Sequence, residues 1–147
     1  MVMREKYVDH KKEDLSMEDD VYKENILDHY KNPRHKKVST RCTFQHHEVN
    51  PICGDMLTFY VEIANGVIKD ISFSGHGCAI SQASASMLAD YLQGKRIEAL
   101  RELKVEKIYE LLGIKISPGR VKCALLSFAT VTKAYENYVG AVKNKSK

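Results

Sequence analysis

The sequence predicts a single domain of the α/β (α+β) class, in which helices cover a small antiparallel sheet. Two runs of period-two alternation joined by Asn65-Gly66 predict the sheet, and helical spacing of apolar residues on either side predicts its cover. A length of 147 residues allows one core and not two full domains.

Residues 1 to about 15, with HKKED at their centre, carry many charges and only isolated apolar residues, and they read as a mobile extension. The first helix is expected to begin near Ser16, with Glu18, Asp19 and Asp20 following where the helix dipole favours acid, and to stop before Pro33. Its apolar face would be Val21 or Tyr22, Ile26, Leu27 and Tyr30. A strand around Cys42 to Glu48 comes next and completes a three-stranded sheet. From Asp55, Leu57, Phe59, Val61 and Ile63 alternate with Met56, Thr58, Tyr60 and Glu62. Asn65-Gly66 then turns the chain, and Val67, Lys69, Ile71 and Phe73 return against Ile68, Asp70 and Ser72.

After Gly77 the chain reads helical, over residues 80 to 93 with a stop at Gly94, then in two short helices near 96 to 103 and 105 to 112. The last helix follows Pro118-Gly119. Its apolar stripe, Val121, Leu125, Phe128, Tyr135, Val139 and Val142, should pack on the sheet, which sets Cys123 off that stripe in the first turn.

Composition narrows the class. With 44% hydrophobic and 29% charged residues, 8 Gly and 3 Pro, the chain is neither collagen-like nor broadly disordered. No window approaches the ~18 uncharged apolar residues of a membrane span. The start, MVMREKYVDH, lacks the apolar segment of a secretory signal, so a cytoplasmic location is expected. The net charge of +4 is uneven, with −3 on residues 1 to 20 and +7 on the rest. That excess suits an acidic protein or nucleic acid and chooses neither. No base-stacking aromatic motif or C2H2 spacing supports the second.

The four cysteines are too few and too scattered for a secreted disulfide scaffold. Three share an address: Cys53 in the loop NPICGD, Cys78 in the turn GHGC between strand and helix, and Cys123 in GRVKC at a helix start. Free backbone N–H groups at turns and helix starts lower a thiol's pKa and favour reactive or ligating use. The steps of 25 and 45 residues contain no CxxC knuckle, so spacing alone leaves open three small buried residues with no shared role. The flanking chemistry favours ligation: Gly54, Gly75 and Gly77 permit close backbone approach, and Asp55 adds a carboxylate two residues from Cys53. Three thiolates and a carboxylate suit zinc or an iron–sulfur cluster, with the oxygen as the labile bond.

The strings ILDHYKNPR (26 to 34), NPICGD (50 to 55), GHGCAIS (75 to 81) and GRVKC (119 to 123) stand in the order and context of the iron–sulfur scaffold family of IscU, SufU and the NifU N-terminal domain, and the chain resembles that family over residues 19 to 142. Residues 1–18 are then a charged flexible extension and 143–147 a basic tail. The resemblance implies a SufE/NifU-like fold, a three-stranded sheet covered by helices with three cysteines at one exposed end. It places cluster or metal ligands on Cys53, Asp55, Cys78 and Cys123. It also implies a non-enzymatic scaffold that accepts sulfur from a cysteine desulfurase, assembles a [2Fe-2S] cluster from iron, and passes it to apo iron–sulfur proteins. The alternative is a zinc-dependent sulfurtransferase of the SufU kind. Self-association into a homo-oligomer is left open; neither nucleic acid nor membrane is implied.

The departures mix two branches. Lys122 precedes the third cysteine where IscU has a histidine, and ISPGRVK keeps part of the IscU chaperone signal Leu-Pro-Pro-Val-Lys. The 45-residue step to Cys123 is too short for the segment SufU inserts there. Cys123 is the expected first sulfur acceptor, at a helix start beside Arg120 and Lys122, whose charge would favour thiolate. Cys42 reads as a structural filler in a strand, and His76 as an outward residue or an alternative ligand. His46 and His47 would face opposite ways, and Lys31, Arg34, His35, Lys36, Lys37 and Arg41 form a solvated basic face.

Overall fold

The computed structural model describes residues 12–145. Residues 1–11 of the expected extension and 146–147 of the basic tail lie outside the described residues. The elements run α1 (Lys12–Lys31), β1 (Phe44–Val49), β2 (Met56–Ala64), β3 (Val67–His76), α2 (Ala79–Leu92), α3 (Glu98–Glu102), α4 (Val105–Leu112) and α5 (Val121–Lys145). The strands form one antiparallel sheet in the order β1-β2-β3. No described helix is long and apolar enough to cross a membrane.

The hairpin turns as its sequence requires: Asn65 and Gly66 both adopt positive φ, 55° and 75°, and Ala64 pairs with Val67. One irregularity changes which side chains face inward. Glu62 pairs with Asp70 but Ile63 with Ile68, so Lys69 is an extra residue on β3 and the alternation flips there. The buried residues of β3 are therefore Ile68, Ile71, Ser72 and Phe73, while Lys69 is exposed, in place of the expected Val67–Lys69–Ile71–Phe73 face. Phe59 and Phe73, paired across the strands, bring their ring centroids to 5.9 Å at the centre of the core.

Three other expectations are corrected. Helix α1 begins at Lys12, ahead of Ser16, and its buried described residues are Ile26 and His29, while Val21, Leu27 and Tyr30 are exposed. It lies on α2 across a polar seam, where His29 Nδ1 and Ser86 Oγ stand 2.8 Å apart and the Arg34 N–H donates to the same Oγ at 2.8 Å. Cys42 precedes β1 and does not lie in it; its thiol points to Gln45 Oε1 at 3.4 Å. In α5 the fully buried side is mostly small, with Ala124, Ser127, Thr130, Val131 and Ala134 beside Leu126, while the expected stripe of Val121, Leu125, Phe128, Tyr135 and Val139 is half-buried, with Leu125, Phe128 and Tyr135 packed against the core.

The reason is helix α2. It is built of alanine and serine and is buried on nearly every side, so α5 approaches it closely enough for Ser84 Oγ to reach Ala124 O at 2.9 Å and Ser127 Oγ at 2.6 Å. The same approach turns Cys123, one residue before Ala124, inward. Of the basic stretch, Lys31, Lys36, Lys37 and Arg41 are exposed as expected but Arg34 and His35 are half-buried, and several members are committed locally: Arg34 pairs with Asp28 at 2.6 Å, His35 meets Asp90 at 3.1 Å and Lys36 reaches Gln82 at 2.9 Å. His46 and His47 do face opposite ways, toward Glu48 and toward Thr58.

Candidate metal centre

Each motif cysteine is held by local chain chemistry. In NPICGD the Asn50 N–H donates to Asp55 O and the Gly54 N–H to Asn50 O, both at 2.8 Å, and Asn50 Oδ1 accepts the Ile52 N–H at 3.2 Å. The loop closes on itself, with Cys53 exposed at its tip and Asp55 folded underneath, 4% exposed. Cys78 is the N-cap of α2, yet its side chain makes no capping bond and stays available. Ser81 Oγ instead donates to Cys78 O at 3.1 Å. Cys123 follows a 3-10 turn, Pro118–Arg120, and lies in the first turn of α5.

These three places converge. Cys53 Sγ and Cys123 Sγ are 3.4 Å apart across a sequence separation of 70 residues. The donor atoms of Cys53, Asp55 and Cys123 all fall within 4.8 Å of one another. The turn brings Asp55 and Cys53 together, with Gly54 at φ 77° in place of an extended backbone. The Cys78 thiol lies outside this tight trio but is close enough to Cys123 to act on it electrostatically. The Cys78 backbone N–H donates to Asp55 Oδ1 at 3.3 Å. His76 ends β3 as an exposed residue outside the group.

Burial alone would raise the Asp55 carboxyl, but donation from Cys53, Cys123, Ser81 and the Cys78 N–H outweighs it and holds the group below the usual carboxylate value. The thiol approaches are looser than ordinary hydrogen bonds: Asp55 Oδ2 is buried with no partner in hydrogen-bonding geometry. Cys123 goes the other way. Its burial, and then the neighbouring Cys53 thiol and Asp55 carboxylate, push it up, so it holds its proton at neutral pH. This corrects the expectation of an activated Cys123: Arg120 and Lys122 are exposed while the thiol is 4% exposed, and burial sets the direction.

A buried carboxylate oxygen without a partner, facing soft sulfur donors, fits a thiophilic cation or cluster and fits little else. The close approach expected at Gly77 is made by the Asp55 carboxylate, and Ser81 beside it is a part of the site that sequence reasoning does not single out. A Cβ at Gly77 would fall 2.5 Å from Ser81 Oγ and 2.8 Å from Asp55 Oδ1, so the absence of a side chain there admits the carboxylate, and Ser81 closes the space beside it. The signal for Ser81 is the spacing G-x-x-x-S across GHGCAIS.

The family model for the NifU-like N terminal domain matches residues 21–145. The zinc-dependent sulfurtransferase SufU of Bacillus subtilis is 34% identical, over 78% of this chain and 89% of its own length. The iron-sulfur cluster assembly scaffold protein IscU of Thermotoga maritima is 32% identical, over 78% of this chain and 92% of its own. Among solved structures, the N-terminal part of a nitrogen-fixing NifU-like protein from Brucella abortus superposes with a TM-score of 0.67, covering 83% of this chain and 96% of that one. At 21% identity it speaks to the fold alone.

Proposed function

The chain belongs to the NifU-like N terminal domain family, and from that premise we propose that it is a scaffold for iron–sulfur cluster assembly. Cys53, Asp55, Cys78 and Cys123 are its donors, a [2Fe-2S] cluster its cargo, and the cytoplasm, where free thiols persist, its compartment. Sulfur comes from a cysteine desulfurase, and the finished cluster leaves for apo iron–sulfur proteins; the chain turns over no substrate of its own. The observation that carries this reading is the convergence of Cys53, Asp55 and Cys123 within 4.8 Å around a buried, unpartnered carboxylate oxygen. The helix-start position beside Arg120 and Lys122 favours Cys123 as first acceptor. Its burial moves the first sulfur transfer, in our reading, to Cys53, which is exposed, with Cys123 3.4 Å behind it.

A zinc-dependent sulfurtransferase is the second reading, favoured by the similarity to the Bacillus subtilis protein and by Lys122 beside the third cysteine. Zinc, when bound, supplies the positive charge that keeps the thiols ionised. Anaerobic purification followed by iron, sulfide and zinc analysis with visible absorption separates the two. Iron and acid-labile sulfide with thiolate-to-iron absorption support the scaffold, stoichiometric zinc without colour supports the sulfurtransferase, and a chain that takes up neither removes both.

A further inference from the structure

Outside the metal centre, the described residues offer a 410 Å³ cleft beside Tyr91, capped by Lys95 and Lys107, and a 470 Å³ basic hollow near Arg41; neither holds an unpaired buried group that would define a ligand. The feature that goes further is the pair Cys53 and Cys123. Their sulfurs, at 3.4 Å, are at van der Waals contact and must close to about 2.05 Å to bond. They differ sharply in setting, because Cys53 is exposed at a loop tip while Cys123 is buried behind it.

We propose that this pair is an internal two-electron reductant that discharges a persulfide on Cys53 as sulfide. The proposal rests on the sulfur-accepting role given above. A sulfane sulfur added to Cys53 extends to the solvent side, since Cys123 occupies the protein side. Thiol–disulfide exchange needs the attacking sulfur, the attacked sulfur and the leaving sulfur nearly in line, and this placement provides that line. The Cys123 thiol gives up its proton and Cys123 Sγ attacks Cys53 Sγ as thiolate; a Cys53–Cys123 bond forms, and the bond from Cys53 to the sulfane sulfur breaks. The sulfane sulfur takes the bonding pair and leaves as hydrosulfide, which departs with the Cys123 proton as hydrogen sulfide. One persulfide and one thiol become one disulfide and one hydrogen sulfide; the sulfane sulfur is reduced by two electrons and the thiol pair is oxidised by two. An external dithiol then reopens the disulfide for the next round. A metal on the two thiolates blocks the reaction by occupying the attacking sulfur, so discharge belongs to the chain before loading.

The test uses the full chain, reduced, treated with a chelator to strip metal and kept anaerobic, in a Cys42→Ser background so that the motif thiols are the only ones. It is given one equivalent of cysteine persulfide. Intact mass is expected to show a gain of one sulfur followed, without added reductant, by its loss together with two hydrogens. One equivalent of sulfide appears in solution, and peptide mapping finds a Cys53–Cys123 disulfide. In Cys123→Ser the added sulfur stays on Cys53 and sulfide release slows at least ~10-fold, as expected when an intramolecular attacking group is removed; dithiothreitol then frees it. A persulfide on Cys53 that persists in the unmutated sites, or a disulfide joining Cys53 to Cys78, overturns the proposal while leaving the scaffold reading in place. A chain that never gains sulfur at Cys53 defeats the sulfur-accepting reading and this proposal with it. The disulfide map comes from the native thiols, so it decides the matter even if Cys123→Ser does not fold.

Discussion

Replacing Gly77 by alanine tests the centre's construction without touching a donor atom. The added methyl would lie 2.5 Å from Ser81 Oγ and 2.7 Å from Asp55 Cγ, far inside contact distance. Ser81 cannot withdraw freely, because it is fully buried and donates to Cys78 O at 3.1 Å. Asp55 must therefore shift, losing its bond from the Cys78 N–H. Overpacking of this kind costs about 1 to 3 kcal/mol of stability, or about 2–4 °C in Tm for each kcal/mol in a domain of this size. Disturbing the groups that orient a ligand typically lowers metal affinity by about 10- to 100-fold. Zinc competition against a chromogenic chelator measures the affinity, and thermal unfolding by circular dichroism measures the cost to the fold. Gly119→Ala is the control, since a methyl there meets nothing within 4 Å, and it should change neither. A Gly77→Ala protein that binds zinc within twofold of the parent, while Asp55→Ala loses tenfold or more, would show that Asp55 does not depend on this cradle.

Three other outcomes are expected. Asp55→Ala, although weaker for zinc, should retain a reconstituted cluster longer than the parent and pass it more slowly to an apo-ferredoxin, because the one oxygen donor is the bond an incoming thiolate displaces; faster cluster decay under the same anaerobic conditions would make Asp55 a stabilising ligand instead. Cys42→Ser should leave metal content and desulfurase stimulation nearly unchanged, since Cys42 precedes β1 and its thiol touches Gln45, not the centre; loss of metal with an unchanged circular dichroism spectrum would mean the donor set is wrong. Burial, and then the Arg34 charge, lower the pKa of His29 below 6.5, so the unfolded chain binds the extra proton first. The contribution of His29 to stability is thus complete above pH 6.5 and declines as pH falls below it. Urea unfolding at a series of pH values should show a flatter acid limb for His29→Gln than for the parent, and parallel limbs would refute the assignment.

Much of this protein was legible in the chain alone, wherever the deciding physics is local. Asn65-Gly66 demands positive φ at both residues and so places a hairpin. Pro33 ends a helix, Gly94 follows one, and the four motif strings carry the family resemblance that points to the candidate donors. Tertiary packing decided what those local rules leave free. The apolar stripe of α5 pointed to a sheet-facing side of bulky residues, and α5 does meet β1 and β2, but close approach to the alanines and serines of α2 buried its smaller residues most deeply and carried Cys123 inward with them. A single extra residue at Lys69 reversed the facing of one end of β3, which alternation cannot foresee. The same holds at the centre. That Cys53 and Cys123 would sit 3.4 Å apart, one open to solvent and one closed, with the Asp55 carboxylate admitted through the space Gly77 leaves, depends on contacts among three segments distant in sequence. Burial then set the sign of the Cys123 shift against its local helix-start position, because removing a thiolate from water outweighs the pull of nearby exposed charges.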